Sequence, residues 1–240
     1  MIRLFFSALI ITILFSSCHF MGNKTINGSG NVVTQSRSVA NFKSIEVDNA
    51  VNVYITQDSA FSVKVTIDEN LQQYIEVYEK DGVLHVGQKN NTSVNPTGHM
   101  KVYVSAPAFE RLEASGASYI TAEQKITAAS VITLDASGAS HISAEIQAPK
   151  TDAEATGASG LTLKGQTKDL SISGQGASHI KCFDLLAENV DVDVSGASSA
   201  DVFASVDLKA EASGASEIRY KGAANYTGNS SGASNIRKAE

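Results

Sequence analysis

A column of carboxylates is the feature of this sequence that could most readily support chemistry. The acidic residues recur at intervals near 19 residues, each three positions before the glycine of a repeated Ser-Gly-Ala-Ser phrase. The column comprises Glu113, Asp135, Glu154, Asp193 and Glu211, with Ser173 and Asn229 completing the series. Carboxylates stacked about 4.8 Å apart, the spacing of paired strands, could attract Ca²⁺, which prefers six or more oxygen ligands.

A charge-paired, solvated face is nevertheless the favoured interpretation of this column. Each repeat offers one carboxylate with serine neighbours, which is few oxygens for a calcium ion. Arg111 and Lys209 lie two residues from members of the column and can neutralise them. We therefore expect no metal and no other cofactor.

Acidic repeats also raise the alternative of polysaccharide cleavage, which needs a placed acid–base pair or a basic residue beside Ca²⁺. Asp191 and Asp193 share a face near Lys209 of the next repeat. His141 and His179 share an outward column, but two strand spacings of about 4.8 Å separate them, too far for one metal with bonds of about 2.1 Å. No His, Arg or Tyr completes a catalytic set, so we predict a protein that is not an enzyme.

The repeated phrase defines the elements that position these residues. Its glycines are spaced by 22, 19, 19, 20, 18 and 18 residues: Gly116, Gly138, Gly157, Gly176, Gly196, Gly214 and Gly232. Apolar residues occupy even offsets on both sides of each glycine, which is the two-residue period of a strand. A near-constant period predicts a solenoid. The sequence thus predicts an all-β fold, a right-handed parallel β-helix of about seven coils of ~19 residues.

We interpret the phrase itself as a corner brace. The even parity predicts that the glycine points inward, where a tight corner has no room for a side chain. The serine two residues later should also face inward and bond to the corner backbone or to the next coil. These serines are Ser118, Ser140, Ser159, Ser178, Ser198, Ser216 and Ser234. Small outward residues beside the corner, bordered by Tyr119, Lys181, Arg219 and Arg237, form a flat strip that could bind a glycan or an envelope protein, or could simply be what a tight corner tolerates.

Residues 26–107 lack the period. The stretch 44–57 resembles a degenerate copy of 111–124, with Asn49 in place of the glycine. The strand-like runs after it, joined at Asp81-Gly82 by a strong hairpin signal, predict an antiparallel β-meander that covers the N-terminal end of the solenoid. We expect a mobile loop at 90–98 and the repeat helix at 108–240, with 26–240 forming one continuous domain.

The first residues have the pattern of an export signal. Arg3, an apolar run from Leu4 to Phe15 and then Ser-Ser-Cys predict a lipoprotein signal peptide at 1–17. The segment resembles the lipobox of bacterial lipoproteins, although Phe15 stands where leucine is usual. That resemblance implies lipidation of Cys18 and a tether at 18–25; an ordinary cleaved signal is the alternative. The other cysteine, Cys182, alternates with apolar residues and should be a buried thiol.

The stretches 26–57 and 68–87 and the Ser-Gly-Ala-Ser coils resemble the head GIN domain family of bacterial secreted proteins and lipoproteins, whose full description is "putative auto-transporter adhesin, head GIN domain". The resemblance spans nearly all of the mature chain. It implies a β-helix-like fold in the cell envelope. It implies no established activity and no catalytic residues.

The remaining expectations concern partners and location. A net charge of −6 with no basic patch argues against nucleic acid as a partner. We expect a non-catalytic, adhesin-like binding or structural lipoprotein of the outer membrane, with a purely architectural spacer as one alternative. The absence of acidic residues directly after Cys18 favours the periplasmic face. An exposed last coil predicts self-association or docking through Ile236, Arg237 and Lys238. Ser59 lies in a short motif similar to bacterial O-glycosylation acceptors.

Overall fold

The computed structural model describes residues 24–239 and is all-β, with 65% of residues in strands and 3% in helix. The signal peptide predicted at 1–17 and Cys18 lie outside the described residues. Within that described range, no helix is long and apolar enough to cross a membrane.

The N-terminal strands are β1 (Lys24–Asn27), β2 (Val32–Arg37), β3 (Ser44–Val47), β4 (Asn52–Gln57), β5 (Ser62–Asp68), β6 (Ile75–Lys80), β7 (Val83–Gln88), β8 (Thr92–Asn95) and β9 (Lys101–Ala106), with a 3₁₀ helix at Glu69–Tyr74. The following strands are β10 (Arg111–Ala114), β11 (Tyr119–Ala122), β12 (Ile126–Thr127), β13 (Val131–Ala136), β14 (His141–Ala155), β15 (Gly160–Gly174), β16 (His179–Val194), β17 (Ser199–Ala212), β18 (Glu217–Lys221), β19 (Asn225–Ser230) and β20 (Asn235–Lys238).

The repeat region is a β-solenoid of about seven turns, as the sequence predicts. The strands β13 to β17 pair in parallel, each with the strand one coil away. Residues one period apart are therefore direct neighbours along the stack. One inward column is Leu134, Ala153, Ile172, Val192 and Ala210, and every member is buried. The solenoid is held together by repeated burial of small and medium apolar side chains rather than by large aromatic ones.

The serines of the phrase are inside the corner. Six of them are buried, and Ser234 in the last coil is half-buried. Five hydroxyls donate to backbone carbonyls of the same or the preceding coil, as Ser140 Oγ does to Ala114 O at 2.8 Å and Ser216 Oγ does to Ser213 O at 2.8 Å. Ser118 Oγ accepts the N–H of Val51 at 3.4 Å. Ser178 instead donates to Ser198 Oγ at 3.1 Å. Each coil thus satisfies a buried hydroxyl next to the corner backbone.

The glycines of the phrase do not point inward, contrary to the expectation from parity. All seven are exposed, and their φ angles lie between +69° and +81°. A residue in the left-handed conformation interrupts the two-residue alternation of the strand. The glycine therefore does not face inward, and the inward-facing positions resume at the serine. Glycine is needed for two other reasons: the positive φ disfavours side chains, and a Cβ would approach the preceding coil. At Gly196, that Cβ would lie 2.6 Å from the carbonyl oxygen of Gly176.

The degenerate coil stacks directly on the regular ones. β3 pairs in parallel with β10, and β4 pairs in parallel with β11, in the register that the sequence comparison of 44–57 with 111–124 aligns. Asn49, at the position of the glycine, has a φ of 55°. Asparagine tolerates this left-handed conformation better than most residues, so the corner survives without its glycine.

Antiparallel strands are present at the N-terminal end, as predicted: β2 pairs with β5, β5 with β9, and β6 with β7. They do not form a simple meander, however, because β7 and β9 stack in parallel on β3 and β4. Leu84 and Val86 continue the buried column of Ile45 and Val47, which favours this register. The N-terminal unit therefore adds a further layer to the solenoid before its edges turn antiparallel.

The segment 90–98 is ordered rather than the expected mobile loop. Its strand β8 pairs in parallel with β1. Beyond β8, Thr97 donates from its backbone N–H and its hydroxyl to the buried carboxylate of Asp68, at 2.9 and 2.7 Å. Asp68 also accepts the N–H of Gly30 at 2.7 Å. One carboxylate thus ties both segments to β5.

Candidate functional site

The acidic column is a continuous row on the face that precedes each phrase, here called the acidic face. Direct strand pairing places its members side by side in the order Glu46, Glu113, Asp135, Glu154, Ser173, Asp193, Glu211 and Asn229. Glu46 in turn pairs with His85 of β7, and His85 Nδ1 lies 3.2 Å from Glu46 Oε2. His85 also stacks on Tyr78, with 4.8 Å between the ring centroids. The sequence analysis did not identify either partner of His85.

Cations partly neutralise the acidic face. Arg111 bridges Asp135 at 2.6 Å and Glu113 at 3.0 Å. Lys209 lies 3.1 Å from Glu211 and 3.6 Å from Asp191. Burial raises the pKa of Asp135, and the Arg111 charge opposes that rise. Among residues 24–239 no three His, Cys, Asp or Glu side chains are arranged to hold a metal ion. The acidic face is a surface of solvated carboxylates and ion pairs.

The strands that follow each phrase form a second face, here called the groove face. This face carries the better candidate site. Its first depression has a volume of about 270 Å³ and contains Tyr119, His141, Gly160, His179 and Lys181. Gly160 opens it, because no side chain separates the two histidines there. His141 leans over this gap: a Cβ on residue 160 would lie 2.5 Å from His141 Nδ1. The two histidines line the same depression from strands separated by β15, and among the described residues they form no metal-binding cluster.

His141 is held in this depression by a polar contact, since its Nε2 lies 3.2 Å from Thr162 Oγ1. Burial lowers the pKa of His141, and the nearby positive charge of Lys181 lowers it further. Both effects favour the uncharged imidazole, and Lys181 supplies a positive charge to the depression.

A second, larger depression of about 390 Å³ shares Lys181 with the first; it is here called the Phe183 cleft. Its wall is a bulge in β16. Cys182 pairs with Val202 of β17, but the next pair joins Leu186 to Phe203, so three residues of β16 have no partner in β17. The extra residues push Phe183 outward over the cleft. The floor and far wall are Ser143, Thr162 and Lys164 with Ala122, Ala144 and Leu163.

The Phe183 ring is held in position by cations. Lys221 Nζ lies 5.1 Å and Arg219 Cζ 5.6 Å from the ring centroid. Cation–π contacts of this length contribute about 0.5–1 kcal/mol at exposed sites. Arg219 is itself fixed by a two-pronged ion pair with the buried Asp201, with both N–O distances 2.6 Å. That hydrogen bonding raises the pKa of Arg219. The cleft wall is thus preformed.

Most charges around the Phe183 cleft are matched within the protein. Asp201 pairs with Arg219, and Glu145 pairs with Lys164 at 3.1 Å. Lys181 makes no ion pair with any residue between 24 and 239. It lies between Thr162 and Asp201 in the strand order. Among the described residues that line the cleft, Lys181 is therefore the cation without an ion pair, and the sequence already places it at the border of the flat strip.

Phe183, Lys164, Glu145 and Asp184 were not singled out from the sequence. A signal for the bulge exists in the repeat lengths, since the coil from Gly176 to Gly196 has 20 residues and the next coil has 18. The longer coil must place its extra residues outside the common register, and β16 does so at Phe183.

The other predicted positions have simple surroundings. Cys182 is fully buried, and burial raises its pKa to about 12, so it is no nucleophile. Ser59 is exposed in the connection between β4 and β5, and its modification stays a prediction. In the last coil, Arg237 pairs with Glu217 at 2.8 Å, and β19 and β20 are largely exposed. Association through this edge also stays a prediction.

Comparison with known proteins identifies the family. A family model described as "putative auto-transporter adhesin, head GIN domain" matches residues 41–224. The chain belongs to the head GIN domain family. A search of the curated proteins finds no match.

Solved structures share the head GIN fold of this chain. A "putative adhesin" from Bacteroides fragilis is 20% identical, with a TM-score of 0.84, and the match covers 89% of this chain and 100% of that one. A "putative lipid binding protein" from Parabacteroides distasonis is 23% identical and a "putative adhesin" from Parabacteroides merdae is 22% identical. Each of these two has a TM-score of 0.72 and covers 90% of this chain and 100% of its own. At these identities, the likeness concerns the fold alone.

Proposed function

We propose that this head GIN protein is a non-catalytic, lipid-anchored binding module of the bacterial cell envelope, with the groove face as its binding surface. The observation that carries the proposal is the pair of adjoining depressions around Lys181, whose walls are held by ion pairs and cation–π contacts. Ligand sites are typically concave and largely preformed, with a few convergent polar groups. The membership in an adhesin-like family agrees with a binding role.

The carboxylates of the groove face favour binding over hydrolysis. A glycoside hydrolase needs one carboxyl group that holds a proton and a second that is free to act. Asp201 is held by Arg219 at 2.6 Å, and Glu145 by Lys164 at 3.1 Å. Neither carboxyl group is free to act on a bound sugar.

The binding role is tested with the full-length lipidated chain, solubilised in detergent and immobilised. Envelope polysaccharides and envelope proteins are passed over it, and retained material is quantified and analysed for chain length. We expect retention without any shortening of the polysaccharide. Shortened products would establish an enzyme, and no retention of either class would establish an architectural spacer.

The anchor is a separate proposal that rests on Cys18. We expect mass spectrometry of the membrane fraction to find diacylglycerol on Cys18 as the first residue of the mature chain. Cys18→Ala should leave the signal uncleaved at this position and abolish the lipid, since the thiol is the acceptor. A mature N-terminus elsewhere, without lipid, would contradict the lipoprotein assignment. The periplasmic face of the outer membrane is the proposed location, and protease accessibility on intact cells tests it.

A further inference from the structure

We propose that the Phe183 cleft binds a carboxylated sugar residue, with the sugar carboxylate at Lys181. This inference rests on the proposed binding function and names its ligand class. Three independent features of the cleft support it: its unmatched positive charge, its apolar wall and its hydroxyl groups.

The charge of the cleft favours an anionic group. The charged residues that line the cleft are Lys164 and Lys181 against Glu145, Asp184 and Asp201. Arg219 and Lys221 add two cations at the Phe183 ring. The pairs Arg219–Asp201 and Lys164–Glu145 are closed within the protein. Lys181 and Lys221 then stand against Asp184, and Lys181 also lines the first depression. The local excess is one positive charge, which suits one carboxylate per bound unit.

The wall and floor of the cleft favour a sugar ring. Phe183 offers an apolar surface, which suits the C–H face of a pyranose. Ser143 and Thr162 line the same cleft, and their hydroxyl groups can donate to or accept from sugar hydroxyls. A volume of about 390 Å³ lies in the range of small-molecule sites. The cleft shares Lys181 with the first depression, so a neighbouring sugar unit can continue there.

An acidic peptide is the competing ligand, and the strand pairing argues against it. Extended peptides gain much of their affinity by adding to an exposed sheet edge. The strands β14 to β17 beneath the groove face are paired on both sides except at the bulge, where Phe183, Asp184 and Leu185 have no partner in β17. A peptide could pair with the backbone only along these three residues and would otherwise have side-chain partners alone.

The test compares three probes by calorimetry on the full-length lipidated protein in detergent at low salt. The probes are an oligomer of galacturonic acid, the neutral galactose oligomer of the same length, and a poly-glutamate peptide of similar charge. We expect the galacturonate oligomer to bind at least tenfold more tightly than the other two. Equal affinity for the two sugars, or a tighter poly-glutamate complex, would overturn the proposal.

Substitutions then locate the site. Lys181→Gln should weaken galacturonate binding about tenfold while leaving binding of the neutral oligomer unchanged. Phe183→Ala should weaken both. Lys64→Gln, an exposed lysine on β5 without an ion pair among the described residues, is the matched charge control and should change neither. Thermal melting of each variant verifies folding.

The outcomes separate the two proposals. If the protein retains envelope material but Lys181→Gln behaves as Lys64→Gln does, the cleft inference is wrong and the binding function stands. If the protein retains nothing, both fail.

Discussion

Replacing Gly196 with valine should lower the free energy of unfolding by about 2–5 kcal/mol. Two costs add at this position. The left-handed backbone, with a φ of +78°, costs a side chain about 1–2 kcal/mol. A Cβ would also lie 2.6 Å from the carbonyl oxygen of Gly176, and overpacking of this kind costs about 1–3 kcal/mol. Denaturant unfolding followed by circular dichroism measures the loss.

Two matched variants separate these costs. Gly82 has a φ of +81°, but a Cβ there would have nothing within 4 Å. Gly82→Ala should therefore show the backbone cost alone, and Gly196→Ala should exceed it because the stacked corner adds the close contact. Ser195→Val, next to the glycine and half-exposed, should change stability by less than about 1 kcal/mol. If Gly82→Ala and Gly196→Ala lose the same stability, the corner contact is not what selects glycine.

The phrase also shows how far parity alone can predict a corner. Even offsets from the glycine correctly identify inward residues such as Ile172 and Val192, because those residues are extended. The same counting places Gly196 inside, whereas the structure exposes it. A period of two holds only while the backbone is extended, and one left-handed residue breaks the series. The recurrence of glycine was the available signal for that conformation.

The strand pairing of the N-terminal unit could not be predicted from the sequence, for a different reason. Asp81-Gly82 identifies the β6–β7 hairpin, and both residues do have positive φ. The hairpin signal does not predict which strand pairs with β7 on the side away from β6. That choice depends on Leu84 and Val86 stacking on Ile45 and Val47, a contact between segments that share no repeat. Long-range pairing of this kind leaves no periodic trace in the sequence.

The Phe183 cleft could be predicted from the sequence only in part. The periodic positions predicted that Lys181 faces outward beside the corner, and the structure places it there. The aromatic wall depends on where β16 accommodates its extra residues, and the register breaks after Cys182. The coil length indicates that β16 contains an insertion. Only the structure shows that the inserted Phe183 lines a cleft together with Lys164 and Thr162. Irregular coils are therefore the places to search for sites in a regular solenoid.

Asp68→Asn should destabilise the N-terminal unit strongly at neutral pH and remove a pH dependence that the natural protein has. The carboxylate of Asp68 is fully buried and accepts three hydrogen bonds, from Gly30 N–H, Thr97 N–H and Thr97 Oγ1. An asparagine would direct an NH₂ group at one of these donors, which leaves buried polar groups unpaired. The segments that carry β1 and β8 would lose their common attachment to β5.

The sign of the pH effect follows from the pKa of Asp68. Hydrogen bonding, first from the Thr97 side chain, lowers that pKa in the folded state. In the unfolded chain the pKa is about 3.9. The stabilisation is therefore complete above about pH 5 and is lost as the pH falls through the folded pKa, because the unfolded chain then binds the extra proton more readily.

Urea unfolding at pH 7 and pH 3 measures this difference, with hydrogen exchange of β1 and β8 as a local probe. The matched control is Asp81→Asn, an exposed aspartate whose left-handed backbone asparagine also tolerates. At pH 7, Asp68→Asn should lose far more stability than Asp81→Asn and should exchange faster in β1 and β8. At pH 3, the gap between Asp68→Asn and the natural protein should narrow, since protonation begins to remove the same interaction. A gap that stays constant with pH would show that Asp68 acts through packing and not through its charge.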